Sequence, residues 1–529
     1  MVATVHLDAA SAAATTTLLN CYLRESGSAV LPSGIEAERS YRSATLHHRF
    51  GAARRDGRLL EVPELAALLA DALDPGEPAD ALLERVEASL ACVRTYLEQR
   101  AADVERLWGA EPLGFIATDQ ALLLGHPLHP TPKGLSGSLA RYAPELQPQF
   151  PLHWLSVAAD RVVHDSATGT PAPALAAQLL GRPPEPGRIL IPAHPWEAGY
   201  LARAASALFA SGDVIDLGPD GDPVTPTSSV RTVYRAQWPY QLKFSLHARV
   251  TNSMRVTLPK ELRRAVEAAR LAQTPVGEAV RRAAPRLTIL HDPAYLSVPG
   301  EDGFSVLFRE NRWPSGSRAD VSALTVLCQD HPFGGRSRLA TIVDALGGVA
   351  REWFARYCEV VIVSLIRLYL DVGLTFEPHQ QNTLLELDGG WPERCIVRDS
   401  QGYFHREAAH DDFVQVIPAF GEASESIFPE ALADERLVYY PFVNNALGVI
   451  DALAPCVDER VLLRDLRTVL ERERARGGRY PHTLLDRLLD DATWPCKANL
   501  RTRLHDMDEL VGDIAEQSVY VTLPNPLRT

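Results

Sequence analysis

Long hydrophobic runs, paired cysteines and an excess of positive charge are all missing from this 529-residue chain, and each absence removes a class of function. The longest apolar stretch, VVIVSLIRLYL at 360–370, is interrupted by Arg367 and is too short to cross a bilayer as a helix. The opening MVATVHLDAASAAATTTLL has no basic segment ahead of a long apolar one, so it does not read as a secretory signal. Seven cysteines stand singly with no CxxC pair, which argues against a disulfide framework or structural zinc and for free thiols in a reducing cytosol. A formal charge of -14 excludes nucleic acid and anionic membrane as partners of the surface as a whole. An anionic substrate must then be held by local cations. There is neither a GxGxxG nucleotide loop nor a GxxxxGK(S/T) phosphate loop.

What is present suits a large globular body. Apolar residues at 46% and charged residues at 23% allow a sizeable core, and the length exceeds what one core usually fills, so two or three subdomains are expected. From about 10 to 110 apolar residues recur at helical intervals, in LLEVPELAALLADAL and ALLERVEASLACVRTYLEQRAADVERLW, with DPGEPAD (74–80) as a breaker and Asp80 as a helix N-cap. Beyond 115 short apolar runs and prolines predict strands and loops, among them RILIPAHPWE (188–197) and a loop LGPDGDPVTPTSS (217–229). Helical spacing returns in PKELRRAVEAARLAQ (259–273), in a long buried helix over 351–373 ending at Gly373, and through most of the chain after 405. The fold class is α+β: a helical N-terminal part (1–120), a central part rich in antiparallel strands (121–345) and a largely helical C-terminal part (346–529).

Three segments carry chemistry. In GHPLHPTPKGLSG (125–137) a proline-stiffened loop gathers His126, His129 and Lys133; it reads either as an anion clamp or as a purely structural loop, and two histidines without a third ligand do not make a zinc site. In 226–255 two alternating segments flank a Gln-Trp-Pro-Tyr break and predict a hairpin. Centred on Gln237, it sets Arg231 opposite Lys243, a pairing that is unfavourable unless an anion lies between them. Phe244, Leu246, Ala248 and Val250 then form one face of the second strand, and Lys243, Ser245, His247 and Arg249 the other. Arg255 lies twelve residues past Lys243, about 40 Å along a straight strand at roughly 3.3 Å per residue, so Thr251-Asn252-Ser253 must turn the chain for both to reach one anion. Solvated surface pairs are the alternative. In 375–402, Glu377, His379, Gln381 and Asn382 precede a hairpin turning at Gly389-Gly390. Centred between Gly390 and Trp391, that hairpin sets Asn382 opposite Asp399, and with Glu377 nearby the oxygens suit magnesium; a polar hairpin base is the bland reading.

GHPLHPTPKGLSG, PTSSVRTV, KFSLHARVTNSMR, EPHQQN and the Arg-Asp of IVRDSQG, in this order, resemble the aerobactin-synthase-like (IucA/IucC) family of siderophore synthetases that work without nonribosomal peptide synthetases, and KANLRTRL (497–504) is similar to its ferric-reductase-like C-terminal part. The resemblance spans roughly 120–510. It implies an ATP-dependent ligase that adenylates a carboxylate of citrate or a related acid with Mg-ATP and condenses it with an amine or hydroxyl, in a cradle between thumb, fingers and palm subdomains. By motif position, Ser229, Arg231, Thr232, Lys243 and Arg255 are similar to the phosphate-holding residues, His379, Gln381 and Asn382 to those around the nucleotide, and Asp399 to the metal carboxylate. His379 is placed to donate to a phosphate oxygen or polarise the carboxylate. A homodimer follows from the likeness only. One departure stands out: the family's loop carries a second basic residue two places after the lysine, where this chain has Leu135. Two other classes remain open on the residues. HQQN followed by Arg-Asp has the composition of a kinase-like metal site, which would yield ADP, and the basic hairpin could hold citrate or a siderophore without catalysis.

Overall fold

The computed structural model describes residues 8–135, 137–250, 253–507 and 519–528. Helices Ala9–Ser26, Val62–Leu73 and Asp80–Gln99 form the N-terminal layer. Asp8 caps the first by accepting Ser11 N–H at 2.9 Å, and Gly27 closes it at φ 64°. Two details differ from the sequence reading. Ala79, not Asp80, is the N-cap of the third helix and makes no side-chain cap bond; Asp80 is its first residue. Between the first two helices lies a three-stranded antiparallel meander, Glu36–Tyr41, Arg49–Arg55 and Arg58–Leu59, whose mixed burial hid the alternation that marks a strand.

The central element is an eight-stranded antiparallel sheet. Its spatial order is Val163–Ser166, Ala294–Val298, Glu301–Glu310, Tyr240–Phe244, Thr232–Tyr234, Val214–Pro226, Phe150–Ala158 and Arg188–Ala193. The segment expected as a loop over 217–229 is mostly strand: Val214–Pro226 pairs along Phe150–Ala158 through two register shifts, with Gly218 and Gly221 at φ 78° and 80°. Its prolines are tolerated because Thr232–Tyr234 pairs only with Thr225 and Pro226, so Pro219 and Pro223 face no ladder on that side.

A four-stranded sheet, in the order Leu287–Ile289, Trp391–Val397, Thr383–Asp388 and Asp320–Ala323, forms a wall shared by two cores. Leu384 and Ile396 pack into the core beneath the large sheet, while their neighbours Leu385 and Cys395 pack into the C-terminal core. Burial on both faces explains a strand sequence that is apolar without strict alternation. The long helix predicted over 351–373 is the axis of the second core. It begins at Ala350, passes through two π-helical stretches, Cys358–Ile362 and Leu368–Val372, and ends at Gly373 with φ 76°. Trp353, Tyr357, Val361 and Tyr369 along it are fully buried, each worth roughly 1.5–3 kcal/mol in apolar transfer. The seven cysteines are free thiols, five of them buried, and among the described residues no helix is long and apolar enough to cross a membrane.

Gly373 has two reasons to be glycine: its left-handed φ, and a Cβ position that would overlap the Ala409 side chain. Gly373→Ala is expected to destabilise the protein by about 2–4 kcal/mol, adding the left-handed penalty to overpacking. A urea or thermal denaturation midpoint equal to that of the unaltered protein would contradict this account.

Candidate active site

The floor of a cavity of about 430 Å³ is made by one face of the large sheet. Thr232 pairs with Lys243, Lys243 with Leu307 and Arg309 with Gln241, so Thr232, Lys243 and Arg309 project on the same side. The register is one residue away from that read in the sequence: Thr232, not Arg231, lies opposite Lys243. Arg231 still reaches the cavity. It sits just before the strand, after Val230 at φ 65°, in a turn closed by Thr227 N–H to Thr232 O at 2.8 Å. The expected single second strand breaks at Ser245, whose N–H bonds Ser305 O; Tyr240–Phe244 stays in the large sheet while Leu246–Val250 pairs with Ser253–Arg255. The Val250–Ser253 pairing brings Arg255 back beside Leu246, as the turn expected at Thr251-Asn252-Ser253 requires; Thr251 and Asn252 themselves lie outside the described residues.

The opposite wall comes from the small sheet. Here too the register shifts. The turn is Gly389-Gly390 between paired Asp388 and Trp391, and a bulge follows the Leu387–Pro392 pair, with Glu393 as the extra residue before Arg394 pairs with Glu386. Asn382 therefore faces Arg398, whose N–H it accepts at 3.0 Å, rather than Asp399. Asp399 lies past the strand end and pairs with Lys243 instead, Nζ to Oδ1 at 2.5 Å. Arg398, the unremarked first half of the Arg-Asp pair, binds Asp119 at 2.9 Å and donates to Ser228 Oγ at 2.9 Å and to Gln381 O, tying the two walls together.

All thirteen residues singled out in the sequence line this one cavity: His126, His129, Lys133, Ser229, Arg231, Thr232, Lys243, Arg255, Glu377, His379, Gln381, Asn382 and Asp399. Among the described residues, ten Lys and Arg but only four Asp and Glu line it, a local inversion of the chain's net charge. Arg231 donates to Arg255 O at 3.0 Å, Thr257 Oγ1 at 3.1 Å and Gln401 Oε1 at 2.6 Å, and Lys243 reaches the same Gln401 oxygen at 3.2 Å. Burial pushes Lys243 down to about 8, against the pull of Asp399. Burial pushes the Asp399 carboxyl up, but Lys243, Arg309 and Arg231 outweigh it and hold it well below the carboxylate range.

The histidine loop plays a more structural part than the clamp reading gave it. His126 Nδ1 and His129 Nδ1 accept the N–H groups of Leu128 and Thr131, each at 3.1 Å, and Lys133 forms an ion pair with Glu145 in the cavity wall. His379 stands 5.8 Å from Tyr440, ring centre to ring centre. Burial lowers both His379 and His126 to about 4, so both are neutral near pH 7. Glu377 pairs with Arg436. Sequence reasoning passed over Arg309, Arg398, Gln401 and Arg436. A buried arginine inside an apolar strand, as in FSVLFRE, was the available signal for Arg309.

Known proteins resemble this chain along most of its length. The model of the IucA / IucC family matches residues 114–329, and that of the ferric iron reductase FhuF-like transporter matches 351–512. The rhizobactin siderophore biosynthesis protein RhbC of Rhizobium meliloti strain 1021 is 37% identical over 92% of this chain and 89% of its own length. The spermidine-citrate ligase of Bacillus anthracis is 32% identical over 85% and 79%. ATP-bound aerobactin synthetase IucA from a hypervirulent pathotype of Klebsiella pneumoniae superposes with a TM-score of 0.86 at 29% identity, covering 98% of this chain and 99% of that one.

A pH dependence follows from His379. Its folded value near 4 lies below the ordinary 6.5, so between those values the unfolded chain binds the proton and the folded one does not. Stability contributed by the neutral ring is complete above pH 6.5 and is lost as pH falls toward 4. Denaturant titrations at pH 7 and pH 4.5 should differ by about 2–3 kcal/mol less in His379→Gln than in the unaltered protein; an identical difference would place His379 in solvent.

Proposed function

Because the chain belongs to the IucA/IucC family of siderophore synthetases, we propose that it joins a carboxylate of citrate, or of a related polycarboxylic acid, to an amine or hydroxyl through an acyl-adenylate made from ATP. One observation carries the reading: Arg231, Lys243 and Arg255, distant in sequence, meet Arg309 and Asp399 around a single cavity. For a carboxylate to attack the α-phosphorus, the repulsion between it and the triphosphate must be cancelled. At 4 Å each like-charged pair costs about 4 kcal/mol at an effective dielectric constant near 20. Fixed cations already aimed at that space supply the cancellation without reorganisation.

Ser229, Arg231, Thr232, Lys243 and Arg255 hold the phosphates in this reading. Buried Thr232 Oγ1, which has no hydrogen-bond partner among the described residues, fits that role. His379, neutral at pH 7, offers a phosphate oxygen a hydrogen bond rather than a charge, and Gln381 and Asn382 flank the nucleotide. His126, His129 and Lys133 belong to the loop that closes the cavity on the nucleotide's side. The donor set also fits magnesium of the kind that arrives on nucleotide phosphates: Glu377 and Asp399 each keep 23% of their side chains exposed, and Asn382 adds an amide oxygen. Bound there, the ion would neutralise phosphate charge. The reading carries with it a cytosolic setting and a homodimer, which light scattering on the purified protein tests.

Two measurements decide the chemistry. With ATP, citrate and a panel of amines the protein should release AMP and pyrophosphate, and hydroxylamine should trap a citryl hydroxamate; ADP as the product would make it a kinase-like phosphotransferase, and binding of citrate without nucleotide turnover a carrier. Arg255→Ala should lower pyrophosphate release on the order of 10²–10³-fold with an unchanged melting midpoint. Full release by that variant would remove Arg255 from the reaction.

A further inference from the structure

Asp399 has the most unusual backbone in the site. Its φ of 84° and ψ of 94° lie where residues other than glycine stay only if the surroundings hold them. What holds it is visible one residue on. Ser400 Oγ donates to Asp292 Oδ2 at 2.6 Å, and Arg309 grips the same carboxylate through Nε at 2.6 Å and Nη2 at 3.0 Å. Asp292 is 0% exposed, Arg309 4% and Ser400 7%.

The contact is set by topology. Leu287–Ile289 runs parallel to Trp391–Val397 with Ile289 beside Val397, and carrying that register three residues past both strands puts Asp292 beside Ser400. With Ser400 anchored inward, Asp399 turns the other way, its carboxylate on Lys243 and 3.7 Å from Arg309 Nη2. Asp292 and Ser400 do not themselves line the cavity. Ser400 reaches it through Asp399, while the Asp292 carboxylate acts on it through Arg309 and through its charge beside Lys243 and Arg231.

We propose that Asp292 and Ser400 are positioning residues, a buried brace anchored on Arg309 that holds the strained Asp399 backbone so that its carboxylate is presented to a nucleotide-borne divalent cation. The brace rests on reading the cavity as the ATP site. It makes a demand that ordinary structural support does not: its loss is felt where the cation takes part and not elsewhere.

Calorimetric titration of the full chain with ATP, with and without Mg2+, tests this. Ser400→Ala should weaken ATP binding about tenfold or more in Mg2+, as removal of an outer partner of a metal carboxylate does, and leave Mg2+-free binding within about twofold. Ser400→Thr, which keeps the hydroxyl, should restore it. In an Asp399→Asn background Ser400→Ala should add nothing. If Ser400→Ala does not fold, Ser400→Cys, which keeps the volume but offers only a weak donor, carries the same comparison. Equal weakening with and without Mg2+, no weakening at all, or failure of Ser400→Thr to restore binding overturns the brace. An unaltered protein that binds Mg-ATP but makes ADP overturns the ligase reading alone, whereas one that binds no nucleotide overturns both.

Discussion

The buried contact between Lys243 and Asp399, Nζ to Oδ1 at 2.5 Å, is the point on which the architecture turns. Lys243 belongs to the eight-stranded sheet and Asp399 follows the last residues of the four-stranded one, so the pair spans the two bodies whose separation makes the cavity. A lysine 2% exposed is expensive to keep charged, and removing either partner of such a pair typically costs 3–5 kcal/mol through the charge left behind. Well-packed apolar residues would stabilise the junction as well or better. A protein that keeps ions there has them for something other than stability.

That something is visible in how the cations are occupied. Arg231 and Lys243 share the Gln401 oxygen, Lys243 takes Asp399, and Arg309 takes Asp292. Each acceptor near the cavity is an oxygen of the kind a phosphate also offers, with less charge. In the proposed ATP site, polyphosphate binding would be an exchange of acceptors at donors already in place, which lowers the ordering cost of association and leaves the net affinity well short of the raw Coulomb attraction. Burial holds Lys243 near 8, and a polyphosphate beside it would push that value back up, so the proton is most firmly held when it is needed.

Much of this was legible in the residues. The composition of the three segments named the cavity's lining, because a lysine, arginine or histidine set among prolines and glycines has few structural uses. The long 351–373 helix and its glycine stop were legible for the same reason: helical spacing and a left-handed terminator are local signals. Pairing was not. Both hairpins were displaced by one residue: the second turns at Gly389-Gly390 rather than between Gly390 and Trp391, an offset of two that the bulge at Glu393 cuts to one, and that displacement exchanged Asp399 for Arg398 opposite Asn382. The strand at 214–226 was hidden by its prolines and glycines, which a strand tolerates only where a neighbouring ladder is missing. Asp292 had no signal at all. Its importance comes from a parallel register that joins residues 108 positions apart.

The contrast between surface and cavity completes the physical picture. With a formal charge of -14 the chain repels anions at long range, yet at physiological ionic strength that repulsion fades over about 8 Å, while cations buried at the sheet junction are hardly screened. Selection falls to the enclosed groups, where ten cationic side chains face four acidic ones and each hydrogen bond has a fixed direction. In the proposed ATP site, recognition of anions by an acidic protein thus depends on backbone registers, since it is strand pairing that decides which charges reach the inside.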